Sequence, residues 1–257
     1  MFRRELRLFF TALMFYTRVP VPRWVGHSDQ ALNQATRYFP LVGWIVGGST
    51  AGVIGLATFV LPLSVSVLLG MTVSILITGA FHEDGLVDMC DGFGGGWTKE
   101  RILTIMKDSR IGTFGTVGIL LVLGLKFSAL YALGQIDGSL LMITIVVGHS
   151  TSRGLAATFI RTHAYVREDQ DSKAKPVAQR LSTLDLSLAG GFAILPMIAL
   201  PHALLLLSIV PPLLVRLYLG YYFQRWIGGY TGDCLGATQQ LCEVTLLLTV
   251  LALWTFI

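Results

Sequence analysis

Residues 39–59 read FPLVGWIVGGSTAGVIGLATF, an apolar stretch that contains no charged side chain. A helix needs about 20 such residues to cross about 30 Å of hydrocarbon. Comparable apolar stretches recur along the chain, at 63–81, 112–134, 139–160, 185–200, 202–223 and 236–257. The pattern predicts an all-α, polytopic transmembrane helical bundle of about seven spans, built as a single integral membrane domain over residues 1–257.

The composition excludes an ordinary soluble domain. Of the 257 residues, 53% are hydrophobic and 13% are charged, whereas about a quarter of a typical soluble domain is charged. Membrane lipid is therefore the expected surrounding. The net charge of +4 is small, and the chain has no recognisable nucleic-acid motif, so no nucleic-acid partner is expected. The three cysteines form neither a Cys-x-x-Cys pair nor an even set, which argues against structural zinc and disulfides.

The positive charges indicate which way the chain is inserted. With seven spans, the loops near 60–62, 135–138 and 200–202 fall on one side and contain no Lys or Arg. The N-terminus and the segments near 82–111, 161–184 and 224–235 hold nearly all the cations. The positive-inside rule places these in the cytoplasm. We therefore predict a multi-pass protein of the cell inner membrane whose active-site loops face the cytoplasm.

An acidic cluster follows the second apolar stretch directly, in the segment Phe81-His82-Glu83-Asp84-Gly85-Leu86-Val87-Asp88-Met89-Cys90-Asp91-Gly92. Asp84, Asp88 and Asp91 are spaced i, i+4, i+7, which places them on one face of a helix. Like charges so close repel one another unless a cation lies between them. Carboxylate oxygens favour Mg²⁺ or Mn²⁺. The pattern indicates a metal site, although a solvated acidic helix face is the simpler alternative.

A short amphipathic helix is predicted next, at the membrane surface, from Trp97 to Lys107. It leads into Asp108-Ser109-Arg110 at the head of the following span. Lys107 and Arg110 are well placed to bind phosphate, and Asp108 adds a fourth carboxylate. Routine anchoring of a helix end at the interface would explain the same residues without a function.

Polar residues within apolar spans are costly and usually functional. Arg153 lies in such a surrounding, with serines on either side, and is a candidate for binding a substrate or cofactor. Near the C-terminus, Thr231-Gly232-Asp233 enters the last span, and Asp233, Gln240 and Glu243 share one helix face. This second polar stripe is positioned to converge with the acidic cluster. Helix capping by Thr231 or Asp233 is the structural alternative.

Taken in order, these motifs resemble the adenosylcobinamide-GDP ribazoletransferase, or cobalamin synthase, family. The likeness covers nearly the whole chain and rests on FYTRVPVP at 15–22, RYFPLVG at 37–43, FHEDGLVD at 81–88, CDG at 90–92, IMKDSRIG at 105–112 and GYTGD at 229–233. Glu83 departs from the family pattern, which has an apolar residue there, and Ala80 stands in place of a glycine.

The resemblance implies a Mg²⁺-dependent transferase for the last step of nucleotide loop assembly in cobalamin biosynthesis. Such an enzyme condenses adenosylcobinamide-GDP with α-ribazole, or α-ribazole 5′-phosphate, and releases GMP. On this hypothesis Asp84, Asp88 and Asp91 hold Mg²⁺ against the pyrophosphate, and Lys107 with Arg110 neutralises the leaving group. Asp84 or Asp108 takes the proton of the ribazole 5′-hydroxyl as it attacks. Asp233, with Thr231, Gly232 and Arg153, is expected to bind substrate or to complete the metal site.

Two other functions remain open from the sequence. Asp88-Met89-Cys90-Asp91-Gly92 echoes the Asp-x-x-Asp-Gly core of the CDP-alcohol phosphotransferases, but no Ala-Arg pair follows at that family's spacing. A secondary transporter would also carry buried charge and broken helices. Here, however, most polar residues cluster at the ends of spans, and no two-half repeat is present. Gly43-x-x-x-Gly47 permits close helix packing within one chain as readily as between the chains of a homo-oligomer.

Overall fold

The computed structural model describes residues 2–26, 28–167 and 181–257. Part of the predicted loop at 161–184 therefore lies outside the described residues. Within these ranges the chain forms helices only. They are α1 (Phe2–Tyr16), α2 (Asp29–Ala35), α3 (Phe39–Ala57), α4 (Leu63–Thr78), α5 (Phe81–Gly95), α6 (Lys99–Ile105), α7 (Thr113–Ile136), α8 (Gly138–Ala157), α9 (Phe159–Thr162), α10 (Thr183–Ile194), α11 (Val210–Ile227) and α12 (Gly232–Trp254), with 3₁₀ turns at Arg23–Val25, Thr36–Tyr38, Leu195–Ala199 and Ala203–Ile209.

The expected polytopic helical bundle is confirmed, with fewer full-length spans than the seven predicted. Five helical segments in the described part of the chain are long and apolar enough to cross a membrane, namely Gln30–Ala57, Thr113–Ile136, Gly138–Thr162, Ala203–Ile227 and Gly232–Trp254. A sixth is obtained if α4 and α5 count as one span. The stretch predicted at 185–200 is a shorter apolar helix, Thr183–Ala199, because Pro196 lies in a 3₁₀ turn that ends the regular α-helix.

A sharp bend of 87° separates α4 from α5. Gly79 and Ala80 both adopt the left-handed conformation, with φ of 67° and 60°. Glycine reaches this region without steric cost, whereas a residue with a Cβ is strained there. The two residues end α4 and turn the chain, so that α5 runs across the end of the bundle and carries the acidic cluster with it.

The bundle is held by close contacts of small residues and by a central helix. α3 packs against α8 through Gly43 and Gly47, and a Cβ on Gly47 would lie 2.9 Å from the Cα of Val146. The Gly-x-x-x-Gly pattern is thus used within one chain. The C-terminal helix α12 contacts α5, α7, α8 and α11, and it therefore lies at the centre of the structure.

Two helices flank the bundle, and the second of them, α6, lies where the sequence predicts a surface helix. α1 buries one face, including Leu8, Ala12 and Leu13, and leaves Phe2 exposed, as expected of a helix lying against the bundle. α6 begins at Thr98, whose hydroxyl accepts a hydrogen bond from the N–H of Arg101. It is shorter than the predicted Trp97–Lys107 helix.

The segments rich in Lys and Arg meet at one end of the bundle. α5 contacts the start of α7, and the segment after α9 pairs with the start of α12 through the hydrogen bond from the Val166 N–H to the Tyr230 carbonyl, at 3.0 Å. We call this the site end. The loops predicted to lack cations, near 60–62, 135–138 and 200–202, join the helices at the opposite end.

Candidate active site

The acidic helix α5 crosses the start of α12 at very short range. A Cβ on Gly85 would lie 3.0 Å from both the Cα and the carbonyl oxygen of Asp233, and one on Gly236 would lie 3.1 Å from the carbonyl oxygen of His82. Only residues without a side chain allow the backbones to approach so closely. Asp84 and Asp88, on either side along α5, are thereby brought to the beginning of α12.

Four carboxylates gather at this crossing. Asp84 is exposed and Asp88 is partly buried. Asp88 lies within electrostatic reach of Asp233, Asp84 and Asp91. The convergence of two polar stripes that the sequence predicts is therefore present. Repulsion among these carboxylates disfavours their charged forms, and a bound cation would relieve that repulsion.

Asp233 is paired with a cation, Arg167, from the segment that follows α9. The Nη2 of Arg167 donates to the Asp233 Oδ2 at 2.7 Å and to the carbonyl oxygen of Met106 at 3.0 Å. One arginine therefore ties the start of α12 to the end of the α6 segment. Because its Nε is buried and has no hydrogen-bond partner among the described residues, the guanidinium retains a donor for a further acceptor.

Asp91 has a structural task in addition to any role at a metal. Its Oδ2 accepts from the Gly112 N–H at 2.7 Å, and its Oδ1 accepts from the Gly115 N–H at 2.8 Å. A buried carboxylate at a helix N-terminus satisfies amides that have no intrahelical partner and complements the helix dipole. Asp91 thus caps α7, which the spacing argument for a metal ligand did not anticipate.

The segment after α6 contains an exposed ion pair. The Arg110 side chain donates to both oxygens of Asp108, at 2.7–3.2 Å, and the Arg110 N–H donates to Oδ1 at 3.1 Å. Hydrogen bonds from the Arg110 side chain and backbone lower the pKa of Asp108 to about 2. A carboxylate so acidic is a weak proton acceptor, which argues against Asp108 as the base. Lys107, nearby, is exposed.

The residues around Asp233 are held by a cap and a backbone pairing. Thr231 is buried and accepts a hydrogen bond from the Cys234 N–H at 3.3 Å, so it is the N-cap of α12. Gly232 follows, exposed, as the first helical residue. The Tyr230 N–H donates to the Ala164 carbonyl at 2.9 Å. The structural alternative for Thr231, that it caps the last helix, is therefore confirmed.

Arg153 lies deeper, in a buried network of polar side chains. Its Nη1 donates to the His149 carbonyl at 2.9 Å, and its guanidinium lies over the Phe39 ring at 5.7 Å. The same network contains Glu243, which pairs with Lys126 at 2.6 Å. Arg153 is 1% exposed, so the structure places it among the groups that hold the bundle together.

The donor groups at the site end suit a hard cation. In the described part of the chain, no three His, Cys, Asp or Glu side chains lie close enough together to hold a metal ion by themselves. Mg²⁺, however, is usually held by one or two carboxylates together with substrate phosphates and water. Asp84 and Asp88, near Asp233, supply such carboxylates at the end of the bundle that also carries the cations.

Two residues have a larger part in this geometry than the sequence indicates. Glu83 is buried, and its Oε1 accepts from the Nε2 of Gln240 at 3.0 Å, which links α5 to α12. Arg167 lies in the predicted cytoplasmic segment near 161–184, where its charge suits a nucleotide, and it also binds Asp233. The polar stripe on α12 was a sequence signal for the contact between Gln240 and Glu83. The contact between Arg167 and Asp233 depends on how a loop folds back against α12.

Comparisons with known proteins give one consistent result. The model of the cobalamin-5-phosphate synthase family matches residues 8–251. The chain is 46% identical over 249 residues to the adenosylcobinamide-GDP ribazoletransferase of Shewanella frigidimarina, covering 97% of this chain and 95% of that protein. It is 41% identical over 261 residues to the protein of that name in Leptospira interrogans, covering 99% and 98%. No solved structure matches the chain.

Proposed function

The chain belongs to the cobalamin-5-phosphate synthase family, and we propose that it condenses adenosylcobinamide-GDP with α-ribazole, or its 5′-phosphate, and releases GMP. This is the last step of nucleotide loop assembly. One observation locates the proposed site. Asp84 and Asp88 on α5 meet Asp233 on α12, beside the cations of the α6 segment. We assign the reaction to this crossing.

The proposed metal is Mg²⁺, held by Asp84 and Asp88. Asp91 and Asp233 lie next to this pair, and Asp91 also accepts two amide hydrogen bonds. When bound, Mg²⁺ would neutralise the pyrophosphate and stabilise charge on the transferred phosphoryl group. The carboxylate chemistry and the repulsion among these side chains support the assignment.

The reaction exchanges one P–O bond for another. A ribose hydroxyl of the ribazole attacks the phosphorus that carries cobinamide, and the bond from that phosphorus to the GMP oxygen breaks. The expectation that the 5′-hydroxyl attacks is wrong for ribazole phosphate, because its 5′ oxygen already carries the phosphate that the product retains. The attacking group is therefore another ribose hydroxyl. Asp84 is exposed and accepts the proton. Lys107 and Arg110 neutralise the negative charge that develops on GMP.

We also propose that the site end faces the cytoplasm and that the protein resides in the inner membrane. In the described part of the chain, most Lys and Arg residues belong to segments at this end, and the opposite loops near 60–62, 135–138 and 200–202 have none. The positive-inside rule then orients the bundle. Both substrates would reach the crossing of α5 and α12 from the cytoplasmic side.

GMP release from adenosylcobinamide-GDP by the purified protein in nanodiscs tests this function. We expect release only with both α-ribazole and Mg²⁺ present, and a fall of at least about 100-fold for Asp84→Ala, the size typical of removing a general base. Glu100→Gln, an exposed charge change on α6, should retain activity. No ribazole-dependent release by the folded wild-type protein would overturn the proposal.

A further inference from the structure

A basic cavity of about 440 Å³ adjoins the acidic crossing at the site end. It lies between α6 and the segment that follows α9. The lining residues are Lys99, Leu103, Lys107, Tyr165, Val166 and Arg167. Its volume falls within the range of small-molecule sites, about 300–1,000 Å³, and is sufficient for a nucleotide.

The charges of the lining select an anionic ligand. Lys99, Lys107 and Arg167 are cationic, and none of the described lining residues is acidic. Lys99 and Leu103 are spaced i, i+4 and thus face the same side of α6. Lysine ammonium groups around a concavity can donate charge-assisted hydrogen bonds to a phosphate that enters it.

Arg167 forms the boundary between this cavity and the acidic crossing. The Nη2 atom that binds Asp233 at 2.7 Å belongs to the same side chain that lines the cavity. A ligand with two adjacent phosphates could therefore have one beside the carboxylates of α5 and α12 and the other among the lysines.

We propose that this cavity binds the nucleoside monophosphate half of a nucleoside diphosphate ester, and so is the subsite from which GMP leaves. The inference rests on the proposed function and adds to it the residues that recognise the leaving group. Lys99 and Lys107 bind the α-phosphate. Tyr165 offers an aromatic wall to the base, a contact of the kind that commonly supports nucleotide binding.

Equilibrium binding of GMP to the protein in nanodiscs, without cobinamide substrate, tests the subsite. We expect Lys99→Gln to weaken GMP binding about 5- to 10-fold, the effect of losing one charge-assisted phosphate contact. Lys107→Gln should do the same. Arg101→Gln is the matched control, because Arg101 lies on the same helix and is exposed but does not line the cavity; its affinity should stay within about two-fold of wild type.

The steady-state kinetics give a second readout. Lys99→Gln should raise KM for adenosylcobinamide-GDP by a similar factor and change kcat less, since binding of the nucleoside half is lost in both the ground and the transition state. Unchanged GMP affinity in both lysine variants would overturn the subsite while leaving the transferase function intact. Absence of ribazole-dependent GMP release in the wild type would instead contradict the proposed function.

Discussion

Asp84 and Asp91 lie on the same helix but have different surroundings. Asp84 is exposed at the crossing with α12, whereas both oxygens of Asp91 accept amide hydrogen bonds from the start of α7. Spacing in the sequence puts them on one helix face and cannot distinguish them, because a cap contributed by another element is a tertiary contact. The structure therefore assigns to Asp91 a task that its spacing alone could not predict.

Replacing Asp91 by alanine should destabilise the protein. Both the Gly112 and Gly115 amides would lose an acceptor in a largely buried position, at a cost of about 1–3 kcal/mol in the free energy of unfolding. A lower midpoint of thermal unfolding in detergent would show this. If Asp91 mainly served the metal instead, Asp91→Asn would keep near-normal stability and require much more Mg²⁺ for activity.

At the scale of elements, the bend between α4 and α5 determines where the site lies. The apolar pattern predicts a span over 63–81, but it does not predict a bend of 87° at the end of that span. Ala80, with a φ of 60°, occupies the position where the family resemblance leads us to expect glycine. The departure seen in the sequence thus coincides with the strained residue of the turn.

Ala80→Gly should stabilise the protein. Removing the Cβ from a left-handed residue gains about 1–2 kcal/mol, and the added flexibility of the unfolded chain costs about 0.5–1 kcal/mol, leaving a net gain of up to about 1.5 kcal/mol. The midpoint of thermal unfolding should rise. Ala129→Gly, in the buried interior of α7, should lower it. A fall for both variants would show that the turn is not strained.

The helices themselves were largely predictable, because long apolar runs bounded by polar segments define them. The exception is the stretch at 185–200, which forms a shorter helix and a 3₁₀ turn around Pro196. Hydropathy alone does not detect a break of this kind, but the short length of the stretch and Pro196 already make this span uncertain in the sequence. The partners of the buried polar groups were not predictable either, since they come from distant helices.

At the scale of the molecule, a buried ion pair joins the central helix to its neighbours. Glu243 on α12 contacts Lys126 of α7 at 2.6 Å and Gln239 at 2.6 Å, and it lies 3.5 Å from His149 of α8. In the low dielectric of a bundle interior, a charge that loses its partner is costly. The network therefore fixes how three spans pack together.

Removing one member of this pair should be strongly destabilising. Lys126→Met leaves Glu243 buried without its cation, at a cost of about 3–5 kcal/mol. Adding Glu243→Gln removes the unpaired charge, so the double variant should recover part of the stability. Thermal unfolding in detergent measures both. A single variant as stable as the wild type would show that the pair contributes little to packing.

The central claim is that carboxylates from α5, facing the start of α12, hold a divalent cation for the reaction. Binding of Mn²⁺ in place of Mg²⁺, followed by electron paramagnetic resonance in nanodiscs with adenosylcobinamide-GDP present, tests it most directly. Asp88→Asn preserves the shape of the side chain and removes its charge. We predict that it weakens Mn²⁺ binding at least about tenfold relative to wild type and to Glu100→Gln. Equal Mn²⁺ binding by all three proteins would contradict the claim.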